Sequence, residues 1–293
     1  MDVRLDEVGR FTFGIGKKQL ADSPQVKRIA TYVVNRHNDD GGYAFVQGTD
    51  SNAQDTYFGL AILNLLGVPF PNIKRTVKWL HKFVPDSHYS HYYVAKSLRL
   101  CGEEPHRSLK DFLLSLQLSR GKFGTIDAYV EVASEFQFLS MITELAGMID
   151  VKINHEKTVS WLLSYQNRDG GFGAHGHSNL NSTYHAVTAL FNLGYAVKSL
   201  KETLRYVRFC EKPYGGFTIV PTSVNPYMEH MYYGISTLNL LGEAARYPEK
   251  TAEFVLKCQN SNGGFARSDL GISTFEDTFY AVSLLRSINT KVV

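Results

Sequence analysis

The sequence predicts an all-α protein in which six helical hairpins close into a double-walled ring. Glycine-plus-aromatic turns recur between helix-like segments, and the glycines that end the second helices lie roughly 35 to 48 residues apart, a spacing typical of repeated helical pairs. The first helix of each pair is amphipathic, and the second is apolar on most of its circumference, which places it inside. An open array is the alternative, but its end repeats would be polar, and the last hairpin here is as apolar as the middle ones.

The helices of each hairpin are predicted from apolar residues that recur every three or four positions. The predicted first helices span about 26–35, 73–83, 108–118, 155–165, 199–210 and 248–258. The predicted second helices span about 54–66, 89–101, 134–146, 182–193, 229–241 and 276–288. Five hairpins carry a glycine turn, at 40–43, 121–123, 169–172, 214–217 and 262–265, and the second hairpin lacks it.

One domain over residues 1–293 is expected, with an N-terminal extension at 1–24 and repeats at about 25–290, because no linker divides the chain. The net charge of +3 is small, and its scattered basic residues do not predict a nucleic-acid partner. The N-terminus lacks the layout of a signal peptide, and no apolar run reaches the ~18 residues of a membrane span. The three cysteines have no metal spacing and indicate a reducing compartment, so a cytoplasmic location is expected.

Two turn segments are similar to a known repeat. Residues 165–173, YQNRDGGFG, and 258–265, CQNSNGGF, resemble the prenyltransferase/squalene-oxidase repeat of protein prenyltransferase β subunits and class II terpene cyclases. The resemblance covers about residues 25 to 290 and implies an (α/α)6 toroid. It also implies a hydrophobic isoprenoid substrate, although one fold hosts several reactions. Peripheral membrane contact and a partner subunit stay open.

Aromatic residues occupy the first turns of all six second helices. They suit the lining of a cavity for an isoprenoid chain, where aromatic faces stabilise a carbocation by roughly 0.5–2 kcal/mol each. The alternative is that they only fill the ring. The candidate substrate-binding residues are Tyr57, Tyr92, Phe136, Tyr184, Tyr232 and Phe279.

The zinc ligands of the protein prenyltransferases are incomplete in this chain. The resemblance implies an Asp-x-Cys pair and a histidine, and His230 falls on the histidine position. Asn179 and Asn181 stand where the Asp and Cys are expected. Because zinc takes thiolate, imidazole or carboxylate ligands, neither zinc nor another cofactor is expected.

The acid motif of class II cyclases, Asp-x-Asp-Asp-Thr, is matched in part. In the first repeat Gln54 occupies the proton-donor position and is followed by Asp55; in the last repeat Glu276 occupies it, beside Asp277. Burial and a neighbouring carboxylate would keep such an acid protonated, whereas a helix N-terminus favours the ionised form. The alternative is that Glu276 and Gln54 belong to capping boxes with Ser273 and Ser51. Further acids expected at the same rim are Asp50, Asp127, Glu131 and Glu135.

Three hypotheses about function follow. The first is a metal-independent cyclase that starts by protonation from Glu276 or Asp55, with His230 or Glu229 removing the last proton. The second is a prenyltransferase-like protein that uses a prenyl diphosphate. Its candidate diphosphate partners are Arg36, Arg168, Lys212 and Arg267. The third is a non-catalytic isoprenoid-binding toroid.

Overall fold

Twelve α-helices alternate along the described part of the chain as the first and second members of hairpins. The structure is a computed structural model that describes residues 4–5, 11–12, 23–116 and 132–288. The first helices are α1 (Pro24–Val34), α3 (Ile73–Lys82), α5 (Ser108–Leu116), α7 (His155–Leu163), α9 (Lys201–Cys210) and α11 (Pro248–Lys257). The second helices are α2 (Ala53–Leu66), α4 (His88–Leu100), α6 (Val132–Met148), α8 (Leu180–Asn192), α10 (Met228–Leu240) and α12 (Phe275–Ser287). All twelve predicted helices are thus confirmed.

Sheet structure is minor in the described residues. Strands β1 (Arg4–Leu5) and β2 (Phe11–Thr12) pair antiparallel, as do β3 (Phe265–Ala266) and β4 (Ser273–Thr274). Short 3₁₀ helices span Ala174–Gly176 and Val197–Ser199. The predicted turn at 121–123 and the acids Asp127 and Glu131 lie outside the described residues.

Burial separates the two helix types as predicted. Ten of the 14 residues of α2 are buried, whereas only two of the 10 residues of α3 are. A helix whose residues are buried around most of its circumference packs against neighbours on several sides. The second helices therefore form the inner layer of each unit.

The chain divides into two units, residues 1–106 with 251–293 and residues 107–250. In unit 1, α2 packs against both α4 and α12, so the last hairpin contacts the first. The amide Nε2 of Gln25 donates to Oε1 of Gln259 at 2.6 Å across this join. An open array with capped ends would not join its first and last hairpins. In unit 2, α8 packs against both α6 and α10.

A repeated hydrogen-bond network holds three of the glycine turns to the start of the next helix. In the last hairpin the N–H of Phe265 donates to Oγ1 of Thr278 at 2.9 Å, and that hydroxyl donates to the carbonyl of Thr274 at 2.6 Å. Corresponding bonds from the turn aromatic join Tyr43 to Thr56 and Phe172 to Thr183, both at 3.0 Å. The repeated threonines therefore serve the fold.

The turn glycines are required by close approach as well as by conformation. Gly263 has φ +96°, and a Cβ there would lie 2.4 Å from the carbonyl oxygen of Arg28 on α1. Residues with a side chain rarely adopt this backbone conformation, and a Cβ atom does not approach a carbonyl oxygen so closely. This glycine lets the last turn pack on the first helix.

Candidate functional site

Unit 1 contains six aromatic side chains in mutual contact, which we call the unit 1 cluster: Tyr57, Phe58, Tyr92, Tyr93, Phe279 and Tyr280. They come from the starts of α2, α4 and α12, which pack side by side. The ring centroids of Phe58 and Phe279 are 5.3 Å apart, and those of Tyr57 and Tyr93 are 5.5 Å apart. The structure thus brings together the predicted residues Tyr57, Tyr92 and Phe279.

A lysine lies among these rings. Nζ of Lys96 is 4.9 Å from the ring centroid of Tyr57 and 4.8 Å from that of Tyr92, and it donates to the Tyr92 hydroxyl at 2.9 Å. These distances are within the range of cation–π attraction. Lys96 was not predicted from the sequence, although a lysine in the second helix of a hairpin was a usable signal.

Glu276 is hydrogen-bonded through its carboxyl group to the unit 1 cluster. The hydroxyl of Tyr280 donates to Oε1 of Glu276 at 2.8 Å. The pKa of Tyr89 on α4 is raised by burial and, to a smaller extent, by the negative charge of Glu276. Glu276 therefore faces both α4 and the aromatic residues that follow it on α12.

Asp55 and Asp277 instead belong to the starts of their helices. Oδ2 of Asp55 accepts from Nδ2 of Asn52 at 2.7 Å and from the N–H of Phe45 at 3.1 Å. Oδ2 of Asp277 accepts from the Thr274 hydroxyl at 2.7 Å. Burial raises the pKa of Asp55, and the two hydrogen bonds it accepts oppose that rise.

The predicted capping boxes are wrong by one residue. The N-caps are Asn52, which accepts from the N–H of Asp55 at 2.8 Å, and Thr274, which accepts from the N–H of Asp277 at 3.0 Å. Ser51 and Ser273 do not cap because their hydroxyls bind the glycine turns: Ser51 donates to Oδ1 of Asp40, and Ser273 to Oδ1 of Asn262. Glu276 is therefore not held by a capping box. Gln54 is exposed to solvent.

Unit 2 contains a second group of rings, which we call the unit 2 cluster: Tyr184, His185, Tyr232 and Tyr233. The rings of Tyr184 and Tyr233 stack with centroids 4.8 Å apart and an interplanar angle of 18°. Tyr232 meets Tyr184 edge-on at 5.9 Å. The predicted residues Tyr184 and Tyr232 thus lie together. His185, whose ring contacts those of Tyr184 and Tyr233, was not predicted from the sequence.

Phe136, Glu135 and Asp50 lie in other surroundings. The ring of Phe136 is fully buried, 5.6 Å from the ring of Tyr165 and 6.1 Å from that of Trp161, so it packs towards the first helix α7. Glu135 is buried, whereas Asp50 is exposed.

His230 and Glu229 are neighbours at the start of α10. Nε2 of His230 lies 3.9 Å from Oε1 of Glu229, and the rings of His230 and Tyr227 are 5.5 Å apart. His230 is buried and Glu229 is half-buried. At 3.9 Å the two side chains are farther apart than a hydrogen bond allows, so this contact does not by itself assign them a role in proton transfer.

The two asparagines at the expected zinc positions do not provide a ligand set. Oδ1 of Asn179 accepts from the N–H of Ser182 at 2.8 Å and caps α8. Asn181 offers only a neutral amide, whereas zinc takes charged thiolate or carboxylate and imidazole ligands. Within the described ranges, no three His, Cys, Asp or Glu side chains are placed to share a metal ion.

Two of the cations considered for a diphosphate are bound to the backbone. Arg36 donates through Nε to the carbonyl of Phe45 at 2.8 Å and through Nη1 to that of Tyr32 at 2.9 Å. Nζ of Lys212 donates to the carbonyl of Pro221 at 2.5 Å. Both side chains therefore hold their turns in place.

Two of the three cysteines lie in the protein interior. Cys210 and Cys258 are buried, and burial raises the pKa of each thiol to about 12, so both are protonated at neutral pH. None of the helices in the described residues combines the length and apolar character needed to cross a bilayer.

Comparison with known proteins identifies the family. Solved structures with similar folds include the protein geranylgeranyltransferase-I of Candida albicans complexed with GGPP, at 17% identity over 92% of this chain and 93% of that one, with a TM-score of 0.75. A single-residue variant of the type II terpene cyclase MstE from Scytonema, in complex with geranylgeranyl dihydroxybenzoate, matches at 12% identity over 93% of this chain and 97% of that one, with a TM-score of 0.56. A protein from Actinoplanes matches at 15% identity over 91% and 99%, with a TM-score of 0.57.

At these low identities the similar structures show the fold alone. No curated protein sequence matches the chain. The family model for the prenyltransferase alpha-alpha toroid domain matches residues 12–90, 86–178 and 138–292. Its matches cover nearly all of the chain and agree with the helical hairpins. The chain therefore belongs to the prenyltransferase alpha-alpha toroid domain family and has the all-α toroid fold of that family.

Proposed function

We propose that this protein is a metal-independent isoprenoid cyclase that starts its reaction by protonation from Glu276. The observation that supports this proposal is the contact of the Glu276 carboxyl group with Tyr280, one of the rings of the unit 1 cluster. A carboxylic acid beside aromatic faces can protonate an alkene, and the faces can then stabilise the cation that results.

The choice of Glu276 over the other two acids rests on their hydrogen bonds. Asp55 and Asp277 accept hydrogen bonds from the side chains of their own capping residues, and Asp55 also accepts one from the N–H of Phe45. Protonating either would weaken the start of its helix. Glu276 is bound by a hydroxyl of the cluster, and its 2.8 Å bond to Tyr280 suits either direction of donation.

Substrate binding is the step that would bring Glu276 into its acidic form. The N-terminus of α12 and the Tyr280 hydroxyl both stabilise the carboxylate in water. An apolar chain seated against the rings would exclude water from the carboxyl group and favour its neutral form. The acid would then act only with substrate present.

The substrate class is an isoprenoid chain. The aromatic faces of the unit 1 cluster suit such a chain, and each ring beside a cation contributes roughly 0.5–2 kcal/mol. Two of the three neighbours named above hold ligands that include a geranylgeranyl group. A geranylgeranyl compound is therefore the first probe.

The test replaces Glu276 by glutamine. Glu276→Gln should lower turnover of a geranylgeranyl substrate by at least about 10²-fold, the usual share of an acid catalyst. Its stability should change by no more than ~1 kcal/mol because the cap at Thr274 stays intact. Glu249→Gln is the matched control, since Glu249 is an exposed acid in the first turn of α11. Equal activity of the two variants would refute the role of Glu276.

Use of a prenyl diphosphate is the second candidate, and Lys96 favours it. Its ammonium lies between the rings of Tyr57 and Tyr92, where it could pair with a diphosphate whose chain lies on the aromatic residues. Lys96→Gln should then weaken binding of geranylgeranyl diphosphate at least about tenfold while leaving geranylgeraniol binding unchanged. Release of diphosphate without an isomeric product would support this candidate over the cyclase.

A further inference from the structure

Opposite charges contact different rings of the unit 1 cluster. The acid Glu276 accepts from the hydroxyl of Tyr280 at 2.8 Å. The ammonium of Lys96 instead lies against Tyr57 and Tyr92, with Nζ 4.9 and 4.8 Å from the two ring centroids. The cluster therefore has an acid side, at Tyr280, and a lysine side, at Tyr57 and Tyr92.

The positions of these residues along their helices show how the two sides are related. All six rings are fifth or sixth residues of α2, α4 and α12, and their contacts join the three helices in one layer. Glu276 is the second residue of α12, ahead of this layer, whereas Lys96 is the ninth residue of α4, about one turn beyond it. An isoprenoid chain that starts at Glu276 and follows the rings thus runs towards Lys96.

Both charged groups are accessible from outside the cluster. Glu276, Phe279, Tyr92 and Lys96 are half-buried, so each of these side chains keeps some surface in contact with solvent. The other four rings of the cluster are at most 8% exposed. A ligand on the accessible part of the cluster therefore meets the carboxyl group, aromatic rings and the ammonium.

The ammonium makes the lysine side unfavourable for a second positive charge. Like charges in close contact repel each other, and the repulsion is stronger where water is partly excluded. Phe58 and Phe279, whose ring centroids are 5.3 Å apart, both contact Tyr280 on the acid side. Their faces attract a cation, and so does the carboxylate that remains after Glu276 has given up its proton. A carbocation is therefore favoured on the acid side.

We propose that Lys96 limits how far the positive charge travels along the isoprenoid chain, and so determines how many rings are formed; this inference rests on the proposed function. Protonation by Glu276 adds a proton to one alkene carbon and leaves the other carbon positive. In each ring closure, the electron pair of the next alkene forms a C–C bond, and the charge moves to the distal carbon of that alkene. Closures that bring the charge beside the ammonium are disfavoured.

The reaction then ends with the charge still on the acid side. Water takes a proton from a C–H bond next to the cationic carbon, and the electron pair of that bond forms the new C=C bond. Without the charge of Lys96, the rings of Tyr57 and Tyr92 become favourable positions for the cation. Further closures then compete with loss of the proton.

The first experiment uses geranylgeraniol, whose neutral head gives Lys96 no anion to bind. Products of the wild-type protein, Lys96→Met, Lys96→Arg and the control Lys74→Met are compared by mass spectrometry and NMR, which together count the rings formed. In Lys96→Met the ratio of products with more rings to products with fewer rings should rise at least about tenfold. Lys96→Arg keeps the charge, and Lys74 is an exposed lysine on α3, so both variants should keep the wild-type ratio.

The second experiment needs no turnover. It measures binding of geranylgeranyl dimethylamine, a cation at neutral pH, and of geranylgeraniol, its neutral counterpart. Glu276→Gln is the background, so that the amine has no acid there to pair with. Adding Lys96→Met should tighten binding of the amine relative to the alcohol at least about tenfold, whereas adding Lys74→Met should leave the ratio unchanged.

The two experiments separate this inference from the proposed function. A wild-type ring count from Lys96→Met, or an amine that gains no affinity from that substitution, would overturn the inference even if the wild-type protein is a cyclase. An altered ring count that Lys96→Arg does not show would support it. If the wild-type protein itself yields no isomer, the proposed function fails and the inference fails with it.

Discussion

Replacing Thr278 by valine tests the hydrogen-bond network that joins three of the glycine turns to the following helices. Valine has nearly the shape of threonine, but it lacks the hydroxyl that accepts from the N–H of Phe265 at 2.9 Å. Both residues are fully buried, so the N–H would lose its partner without gaining water. Leaving one buried backbone donor unpaired costs about 1–3 kcal/mol.

The assay is urea unfolding followed by circular dichroism. With a slope of about 3 kcal/mol per molar, the midpoint should fall by roughly 0.3–1 M. Thr278→Ser keeps the hydroxyl, so its midpoint should fall less. Thr222→Val changes an exposed threonine, and its midpoint should not change measurably. If Thr278→Val shifts the midpoint no more than Thr222→Val does, the reasoning about these threonines is refuted.

Two further predictions concern stability. Burial lowers the pKa of His185 from 6.5 in the unfolded chain to about 3 in the folded protein, so the unfolded chain binds the proton more tightly. The free energy of unfolding should therefore fall by about 1.4 kcal/mol for each pH unit below 6.5. Unfolding measured at pH 7.5 and pH 5 should show a smaller fall in His185→Gln than in the wild-type protein. In thermal unfolding, Gly263→Ala should lower the melting temperature far more than Gly48→Ala does. Both glycines have positive φ, but only Gly263 lies against the carbonyl of Arg28. Equal falls in melting temperature would contradict the packing argument.

The helices could be predicted because their signals are local. Periodic apolar residues and closing glycines such as Gly67, which ends α2 with φ 69°, occur within each hairpin. The join between the first and last hairpins was also predictable, because the last repeat shows no polar end. Its contacts, such as Gln25 with Gln259, were not, because 234 residues separate them.

The caps show where local reasoning fails. Ser51 followed by Gln54 has the spacing of a capping box, yet the Ser51 hydroxyl donates to Asp40 and accepts from Asn38 in the glycine turn. Asn52 takes over as the cap. A competing partner eleven residues away therefore decides the start of α2, and sequence spacing alone does not reveal it.

The Asp-Thr part of the acid motif has a structural explanation. Thr56 and Thr278 bind the preceding turns, and Asp55 and Asp277 bind the residues that cap their own helices. This part of the motif therefore indicates the fold more than the reaction. Glu276 differs in that its carboxyl group accepts a hydrogen bond from Tyr280 of the unit 1 cluster.

His185 and Lys96 were missed for different reasons. The partner of His185, Ser140, lies 45 residues earlier, and no sequence pattern pairs the two. Lys96 bonds to Tyr92 four residues before it, a helical neighbour that could have been recognised. A polar residue within an otherwise apolar second helix is thus a sequence signal for a candidate site in this family.

The central claim is that this toroid cyclises an isoprenoid without a metal. The most direct measurement incubates the chelator-treated protein with farnesyl diphosphate, geranylgeranyl diphosphate and squalene, and determines product mass and chromatographic retention. The account predicts a product of unchanged mass and altered retention that is lost in Glu276→Gln. Release of diphosphate with no isomer, or no conversion of any of the three, would contradict it.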